Sequence, residues 1–353
     1  MKSYRVAIVG LTGIAARRPE PAPHPSLGRL APHSHAAAYA ACPSTQVVAV
    51  CDLVPDLIER FRQEWADLWP DVRGYTDYRR MLEAEGIDLL SVATSDHRHA
   101  QIVVDAAEAG VRGILCEKPI ATTLADADRM IAACRARGVP LLIDHTRRWY
   151  PEYARAREML ASGTLGPLRR IIATLSGPRA MLFRNGTHLV DAVCYFADSE
   201  PAWVSGRLDD EHRDYGPRYR GDGGHDPATD PGGSALVGFE SGVRAFINAS
   251  KGTMRHFEVD LWAQEGRLRL GNGTGEVWRL TEDGRLAVSP LPPLHTSHAD
   301  IGAAVRELIS LVENGGQGLS TGEDGRRALS IILAILQSNA AGGQPVPFPV
   351  TDV

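Results

Sequence analysis

The chain has 353 residues, 44% of them hydrophobic and 23% charged, which suits one large globular domain or two ordinary ones and excludes a disordered protein. Its 38 basic and 43 acidic residues give a formal charge of −5, so neither nucleic acid nor an anionic membrane is expected as partner, and a small molecule is favoured. No leader pattern, membrane-length apolar run or paired cysteine spacing is found, and we expect a cytoplasmic protein with reduced thiols.

The first part of the chain alternates β-branched apolar runs with helix-patterned stretches. The apolar runs predict strands over Tyr4–Gly10, Gln46–Asp52, Asp88–Thr94, Gly113–Glu117 and Pro140–His145. Apolar residues at helical spacing, each group followed by glycine, predict helices over Asp77–Glu85, His97–Ala109 and Leu124–Arg137. This alternation is typical of a doubly wound parallel sheet with helices on both faces.

After Trp149 the pattern changes. A helix over Pro151–Ala161, a strand over Leu168–Ser176 and a helix over Gly186–Phe196 come first. Further strands are predicted over Ala202–Leu208, Ser234–Phe239, Val243–Ala249, Phe257–Ala263, Arg267–Leu270 and Glu276–Leu280. Two amphipathic helices follow, one with a stripe from Ile301 to Val312 and one over Asp324–Ala340. We therefore predict an α/β protein, with a doubly wound domain over residues 1–147 and an α+β domain with a large, open, mainly antiparallel sheet over 148–353.

Two stretches fit neither pattern. Arg17–Pro32 contains five prolines, which exclude a regular helix or strand, and we expect a loop there that faces the cofactor discussed next. Asp209–Gly233 is rich in Asp, Arg, Gly and Pro, and a mobile lid, a subunit-contact arm and plain disorder all stay open for it.

A turn with small residues follows the first strand. Gly10 and Ala15 occupy the first and third positions of the G-x-G-x-x-G/A dinucleotide motif, whereas Thr12 stands in the middle position and Gly13 comes one residue later. Such a turn, which also includes Ile14, lets the backbone approach a pyrophosphate whose charge lies on helix amide groups. The alternative is an ordinary strand-turn with useful glycines.

Asp52 ends the second predicted strand, where a carboxylate can accept hydrogen bonds from the adenosine ribose hydroxyls. It can also cap the helix that starts near Pro55, and the two roles are compatible. Because a carboxylate repels a 2′-phosphate, we expect NAD as cofactor. Arg17 and Arg18 keep NADP possible.

Lys118 follows an apolar strand, and ligands of open parallel sheets bind beyond the carboxyl ends of the strands. A solvated surface lysine is the alternative, which the rigid backbone at Pro119 weakens. Thr94 and His97 follow a neighbouring strand, and we place both near the cofactor, with His97 on the nicotinamide side.

The motif order resembles the glucose–fructose oxidoreductase, inositol dehydrogenase and rhizopine catabolism family (Gfo/Idh/MocA) over nearly the whole chain. The resembling segments are Thr94–Ala100, Glu117-Lys118-Pro119, Arg147–Pro151, Gly163–Gly166, His188–Asp191 and Gly322–Ala328. The resemblance implies a Rossmann domain, a nicotinamide cofactor, a sugar, cyclitol or sugar derivative as substrate, and a homodimer or homotetramer formed through the C-terminal sheet. It also implies that Lys118 is the catalytic lysine and His188 the active-site histidine, with Glu117 beside the cofactor.

One position departs from the family pattern. An Asp commonly stands four residues before the histidine, but here the residue is Arg184, which cannot accept a proton. Asn185 and His188 could share the orienting role, Arg184 could recognise an acidic or polar sugar group, or Arg184 could form a surface ion pair while Asn185 caps a helix. Arg148 and Trp149 are further candidates for the substrate, although Trp149 could equally seal a domain junction.

These residues suggest a hydride-transfer mechanism. Oxidation of a hydroxyl needs a base, and partial desolvation beside a cationic ring should lower the pKa of Lys118 toward working pH. We expect Lys118 and His188 to hold the reacting oxygen together. No metal is predicted, since His33, His35, His97 and His99 have no carboxylate set at a fixed spacing. The alternative functions are an NAD-dependent glycoside hydrolase that uses transient oxidation and a non-catalytic nucleotide or sugar sensor.

Overall fold

The structure, a computed structural model, describes residues 3–18, 32–294, 296 and 298–352. These residues divide into two compact units. The first contains residues 3–18, 32–149 and 298–325, and the second contains 150–294, 296 and 326–352. Most of the loop predicted at Arg17–Pro32 lies outside the described residues.

A six-stranded parallel sheet is the centre of the first unit. Its strands are β1 (Tyr4–Val9), β2 (Thr45–Cys51), β3 (Arg73–Tyr75), β4 (Leu89–Val92), β5 (Gly113–Cys116) and β6 (Leu141–Ile143), in the order β3-β2-β1-β4-β5-β6. The chain reverses its direction of travel between β1 and β4, which is the doubly wound topology, and the predicted fold class is confirmed. β3 was not predicted, because it is a three-residue edge strand with no apolar run.

Five helices of the first unit precede residue 150. They are α1 (His35–Ala40), α2 (Pro55–Glu64), α3 (Tyr78–Glu85), α4 (His99–Glu108) and α5 (Leu124–Arg137). Gly86 and Gly138 end α3 and α5 in the left-handed conformation that the sequence pattern indicated. The predicted start at His97 is two residues early, since Asp96–Arg98 forms a separate 3₁₀ turn.

The first helix is interrupted. The glycine motif runs into one hydrogen-bonded turn, in which the amide of Arg17 donates to the carbonyl of Gly13 at 3.1 Å, rather than into a regular helix. The amides of His35 and Ala36 then donate to the carbonyls of Ile14 and Ala15, both at 2.9 Å. Hydrogen bonds of helical type therefore continue from the glycine turn directly into α1, across the insertion. The prolines of the insertion hide this continuity in the sequence.

The second unit contains a nine-stranded sheet. Its strands are β7 (Leu168–Ser176), β8 (Pro201–Leu208), β9 (Gly233–Phe239), β10 (Arg244–Ser250), β11 (His256–Ala263), β12 (Arg267–Leu270), β13 (Gly275–Leu280), β14 (Leu286–Pro290) and β15 (Val346–Pro347). The order is β14-β13-β12-β11-β7-β10-β9-β8-β15, and all pairs are antiparallel except β7 with β10. The predicted antiparallel sheet is confirmed. The sequence did not predict β14, which is exposed throughout, or β15, which has two residues.

Helices α6 (Pro151–Ala161) and α7 (Gly186–Ala197) belong to the second unit, and α7 packs on β7, β10 and β11. Helix α8 (Asp300–Asn314) belongs to the first unit, where it contacts α1 and β5 through the predicted apolar stripe. Helix α9 (Gly322–Ala340) follows it. Among the described helices none combines the length and apolar character needed to cross a membrane.

The segment between β8 and β9 forms a hydrogen-bonded loop. The carboxylate of Asp222 accepts hydrogen bonds from the amides of Gly224, His225 and Asp226 at 2.8–3.0 Å. Lys251, directly after β10, donates to the carbonyls of Pro227 and Asp230, both at 2.8 Å. Of the three alternatives left open for Asp209–Gly233, plain disorder does not describe this loop.

Ser34 offers a test of the interrupted helix. Its buried hydroxyl caps α1 by accepting from the Ala37 amide at 3.1 Å and donates to the Arg17 carbonyl at 2.5 Å, so it joins both sides of the insertion. We expect Ser34→Ala to lower the free energy of unfolding by about 1–2 kcal/mol. Urea denaturation measures the change, with the exposed Ser310→Ala on α8 as the control that stays within about 0.5 kcal/mol. A Ser34 variant as stable as the control would contradict this account.

Candidate active site

The glycine turn after β1 presents its backbone to solvent. Gly10 has φ +88°, and a Cβ there would lie 2.4 Å from the carbonyl oxygen of Ala93, so only glycine fits. Leu11 and Ala15 are buried, whereas Thr12, Gly13 and Ile14 are exposed, Ile14 by 37%. The exposed residues Thr12–Ile14 are the part of the turn that a pyrophosphate can approach, although Thr12 replaces the second glycine of the motif.

The Asp52 carboxylate joins the end of β2 to this turn. Oδ2 accepts from the Leu11 amide at 2.8 Å, and Oδ1 accepts from the Val54 amide at 3.0 Å, just before α2. The N-cap of α2 is Val54 and no side chain caps it, so the capping alternative is wrong, and the contact with the glycine turn is an addition that the sequence did not indicate. Leu53 and Val54 next to it are 77% and 48% exposed. The ribose-binding role of Asp52 stays a prediction.

His99 connects the ends of β4 and β5. Its ring is buried, with Nδ1 2.9 Å from the carbonyl oxygen of Pro119 and Nε2 3.2 Å from that of Thr94. His97 is exposed on the 3₁₀ turn, and its predicted place beside nicotinamide stays a prediction. His99 thus fixes the two backbone segments that carry Thr94 and Lys118.

Lys118 is a buried lysine. Its residue is 8% exposed, and the peptide bond to Pro119 is cis. Nζ lies 3.9 Å from Oε2 of Glu117, and the same carboxylate oxygen accepts from the Lys118 amide at 3.2 Å. The alternative of a solvated surface lysine is therefore wrong. An amine held at the end of a parallel strand and beside a carboxylate is suited to proton transfer.

Behind Lys118 the structure assembles a group that the sequence did not reveal. His35 Nε2 lies 3.3 Å from Glu117 Oε1 and 3.7 Å from Asp144 Oδ2. The three side chains are buried, and one ligand atom of each lies within 4.8 Å of the others. Burial, then the negative charges of Glu117 and Asp300, raises the pKa of Asp144 well above its ordinary value. The sequence could have predicted that Glu117 and Asp144 lie close together, because they directly follow β5 and β6, which are adjacent parallel strands.

Arg148 and Trp149 are engaged within the first unit. Arg148 Nη1 donates to the Leu319 carbonyl at 2.8 Å and lies 3.2 Å from Asp324 Oδ2. Trp149 Nε1 donates to Glu307 Oε2 at 2.5 Å. Both side chains are buried and support residues 307–324. These contacts lie within the first unit, so the junction-sealing alternative for Trp149 and a substrate role for either residue stay predictions.

In the second unit, Arg184 and Asn185 precede α7. Asn185 occupies the N-cap position, as one of the alternatives had it, but its side chain makes no capping hydrogen bond. Arg184 Nη1 donates to the Gly223 carbonyl at 3.4 Å, and Arg179 Nη2 donates to the Gly224 carbonyl at 3.2 Å. Burial and the charge of Arg184 lower the pKa of Arg179. Two guanidinium groups therefore meet the same part of the β8–β9 loop.

His188 lies on the first turn of α7 and is half-buried, one helical turn from the buried Asp191. The rings of Phe183 and Tyr219 are in contact, with centroids 4.1 Å apart and an interplanar angle of 34°, and they hold the β8–β9 loop near the start of this helix. Lys118 belongs to the first unit and His188 to the second, and their joint action on one oxygen stays a prediction.

Gly10 allows a direct test of the nucleotide turn. We expect Gly10→Ala to weaken dinucleotide binding at least tenfold, because the methyl group collides with the Ala93 carbonyl and strains the backbone. Gly13→Ala, which also has positive φ but meets no atom within 4 Å, is the matched control and loses less. Titration calorimetry with NAD⁺ measures both, and equal affinities for the two variants would refute the close-approach argument.

Comparisons with known families match both units. A family model described as "Oxidoreductase family, NAD-binding Rossmann fold" matches residues 26–145. A second model, described as "GFO/IDH/MocA C-terminal domain", matches residues 153–269. The two matches together cover more than half of the chain.

Similar proteins have sugar and cyclitol dehydrogenase names. The chain is 28% identical to D-apiose dehydrogenase of Paraburkholderia graminis over 88% of this chain and 85% of that protein. It is 30% identical to inositol 2-dehydrogenase of Salmonella typhimurium over 34% of this chain and 35% of that protein. Among solved structures, aldose–aldose oxidoreductase from Caulobacter crescentus, complexed with glycerol, has a TM-score of 0.78 at 20% identity, covering 98% of this chain and 100% of that one.

Proposed function

Because the chain belongs to the Gfo/Idh/MocA family of oxidoreductases, we propose that it is an NAD(P)-dependent dehydrogenase or reductase that acts on a hydroxyl carbon of a sugar, cyclitol or sugar derivative. The observation that carries this proposal is the buried amine of Lys118 at the carboxyl end of β5, in the unit that also contains the glycine turn. The dehydrogenase and reductase names of the relatives do not favour glycoside cleavage or a sensor.

The residues at the carboxyl ends of the first sheet suit a dinucleotide. The exposed amides of Thr12–Ile14 and the glycine at position 10 would hold the pyrophosphate, and Asp52 would accept from the ribose hydroxyls. Thr94, His97 and Glu117 follow β4 and β5 and would contact the nicotinamide end. When bound, the cofactor supplies or accepts the hydride. We favour NAD over NADP because the Asp52 carboxylate would repel a 2′-phosphate.

Lys118 handles the proton in this proposal. During oxidation its amine takes the proton from the substrate hydroxyl, and during reduction its ammonium returns one to the new alkoxide. His188 donates to or accepts from the same oxygen and fixes its direction. Arg184 replaces the usual carboxylate, so it recognises a polar or anionic group of the substrate and takes no proton. Asn185, Arg148 and Trp149 are proposed as further substrate contacts.

Turnover and its dependence on Lys118 test the proposed function. Sugars, cyclitols, sugar acids and glycosides are incubated with NAD⁺ or NADP⁺, and NADH absorbance and aglycone release are recorded. We expect a neutral or acidic polyol to give NADH, and Lys118→Met to lower kcat by about 10²- to 10⁴-fold with unchanged NAD⁺ affinity. Arg129→Met, an exposed cation of α5, is the control that keeps activity. Full activity of Lys118→Met would remove the mechanism, and aglycone release without NADH would replace the dehydrogenase with a hydrolase.

Asp52 determines the cofactor preference in a second prediction. Asp52→Ser removes the carboxylate that would hold the ribose hydroxyls, and we expect NAD⁺ to bind about tenfold more weakly relative to NADP⁺. Competitive titrations of both dinucleotides measure the ratio. Asp56→Ser, an exposed carboxylate on the first turn of α2, is the matched control. An unchanged ratio of NAD⁺ to NADP⁺ affinity would contradict the ribose-binding role of Asp52 and leave only its contacts with the amides of Leu11 and Val54.

The exposed face of the nine-stranded sheet supports the proposed homodimer or homotetramer. Ile172 of β7 and Phe246 of β10 are neighbours in register and are 41% and 47% exposed, and Trp262 of β11 is 42% exposed. We expect Phe246→Glu to reduce the assembly to smaller species in analytical ultracentrifugation. Met254→Glu introduces the same charge at a residue that is 79% exposed between β10 and β11, and it should leave the assembly intact. A Phe246 variant with the wild-type mass would exclude this face.

A further inference from the structure

Behind Lys118, two carboxyl groups lie close together and out of contact with water. Glu117 and Asp144 are 5% and 1% exposed, and one carboxyl oxygen of each lies within 4.8 Å of the other. His35, with 0% exposure, faces both carboxylates through Nε2. Lys118 Nζ, 3.9 Å from Glu117 Oε2, supplies one positive charge. One ammonium balances one carboxylate, and two adjacent buried carboxylates do not both stay ionised without a further cation.

A proton on Asp144 solves this imbalance. Two buried carboxyl groups this close repel each other when both are ionised, and a proton on one of them lets it donate a hydrogen bond to the other. Asp144 Oδ1 is buried and accepts no hydrogen bond. An ionised carboxylate in that position would need hydrogen-bond donors to both oxygens, so the neutral acid fits better. Titratable groups that act on Asp144 from the neighbouring elements are Glu117, Lys118, Asp300 with its partner His33, His35, Tyr39 and Cys116. Of these, Lys118 opposes protonation, while Glu117 and Asp300 favour it.

His35 is held by a second chain of hydrogen bonds. Its Nδ1 lies 2.9 Å from Ser91 Oγ, which lies 2.8 Å from the hydroxyl of Tyr39. When the serine hydroxyl donates to Nδ1, the other ring nitrogen carries hydrogen and donates to Glu117 Oε1. Glu117 then accepts from His35 and Asp144 while it faces Lys118. This arrangement satisfies the imidazole and the Glu117 carboxylate without a metal ion.

We propose that Glu117 and Asp144 share one proton behind Lys118, and that this pair, oriented by His35, controls when Lys118 gives up its own proton. Glu117, Asp144 and His35 are then positioning residues for Lys118, a role that rests on the proposed function. In the resting state the pair has one negative charge, which matches the ammonium. Transfer of the Lys118 proton to Glu117 leaves all three groups neutral, and the amine can then take the hydroxyl proton of the substrate.

Infrared spectroscopy tests the shared proton without cofactor or substrate. We expect a protonated carboxylic acid band in the wild-type protein at neutral pH that disappears at alkaline pH and is absent from Asp144→Asn. Asp260→Asn, which removes a carboxylate that is 7% exposed but paired with Arg267, is the control that keeps the band. Absence of the band from the wild-type protein would overturn the proposal.

Two variants test the link to Lys118 and do not depend on the folding of Asp144→Asn. Lys118→Met removes the opposing charge, so the titration midpoint of the band should rise by about one pH unit or more. Glu117→Gln removes the neighbouring negative charge and should lower the midpoint. An unchanged midpoint in Lys118→Met would show that the pair is not coupled to the lysine.

The pH profile tests the same coupling from the side of Lys118. Removing the negative charge that faces the ammonium should move the acid limb of kcat/KM for oxidation to lower pH in Glu117→Gln, since coupled titrations act in both directions. An acid limb at the wild-type pH would contradict control of the lysine.

Failure of the sugar panel would remove the proposed function but leave the infrared result decisive. A stoichiometric metal ion in the purified protein, lost in His35→Ala, would overturn the shared proton, because a metal site needs both carboxylates ionised.

Discussion

Parallel pairing of β1, β2, β4, β5 and β6 is the constraint on which the candidate site depends. Parallel strands end at the same edge of the sheet, so the residues that follow them are brought together whatever their separation in sequence. Gly10, Asp52, Glu117 and Asp144 come directly after such a strand, and Thr94 comes two residues after β4. Cross-strand contacts then fix them: Asp52 holds the glycine turn, and His99 joins the ends of β4 and β5.

Burial gives this edge its chemical character. A lysine, two carboxylates and an imidazole in solvent would titrate independently and would attract each other weakly. Excluded from water, they must balance their charges locally, and the pKa of Asp144 rises accordingly. Lys118 is therefore one member of a coupled group. The proton chemistry proposed for it depends on residues that do not touch the substrate.

The second unit presents a different chemistry. Arg179 and Arg184 place two positive charges against the β8–β9 loop, and His188 lies one turn further along α7. An arginine in place of the common carboxylate shifts the balance of this surface toward anionic or strongly polar groups. The same unit exposes Ile172, Phe246 and Trp262 on its sheet, apolar area that a partner subunit would cover.

The sequence by itself determined the doubly wound sheet, the antiparallel sheet and the position of Lys118 at a strand end, because apolar periodicity and glycine stops are local signals. It missed β3, β14 and β15, which are short or exposed and have no such pattern. Only the tertiary structure decided that His35 returns beside Glu117 and Asp144, that His99 bridges two strands, and that the first helix continues across an insertion. These contacts join residues 20 to 109 positions apart, and no local spacing encodes them.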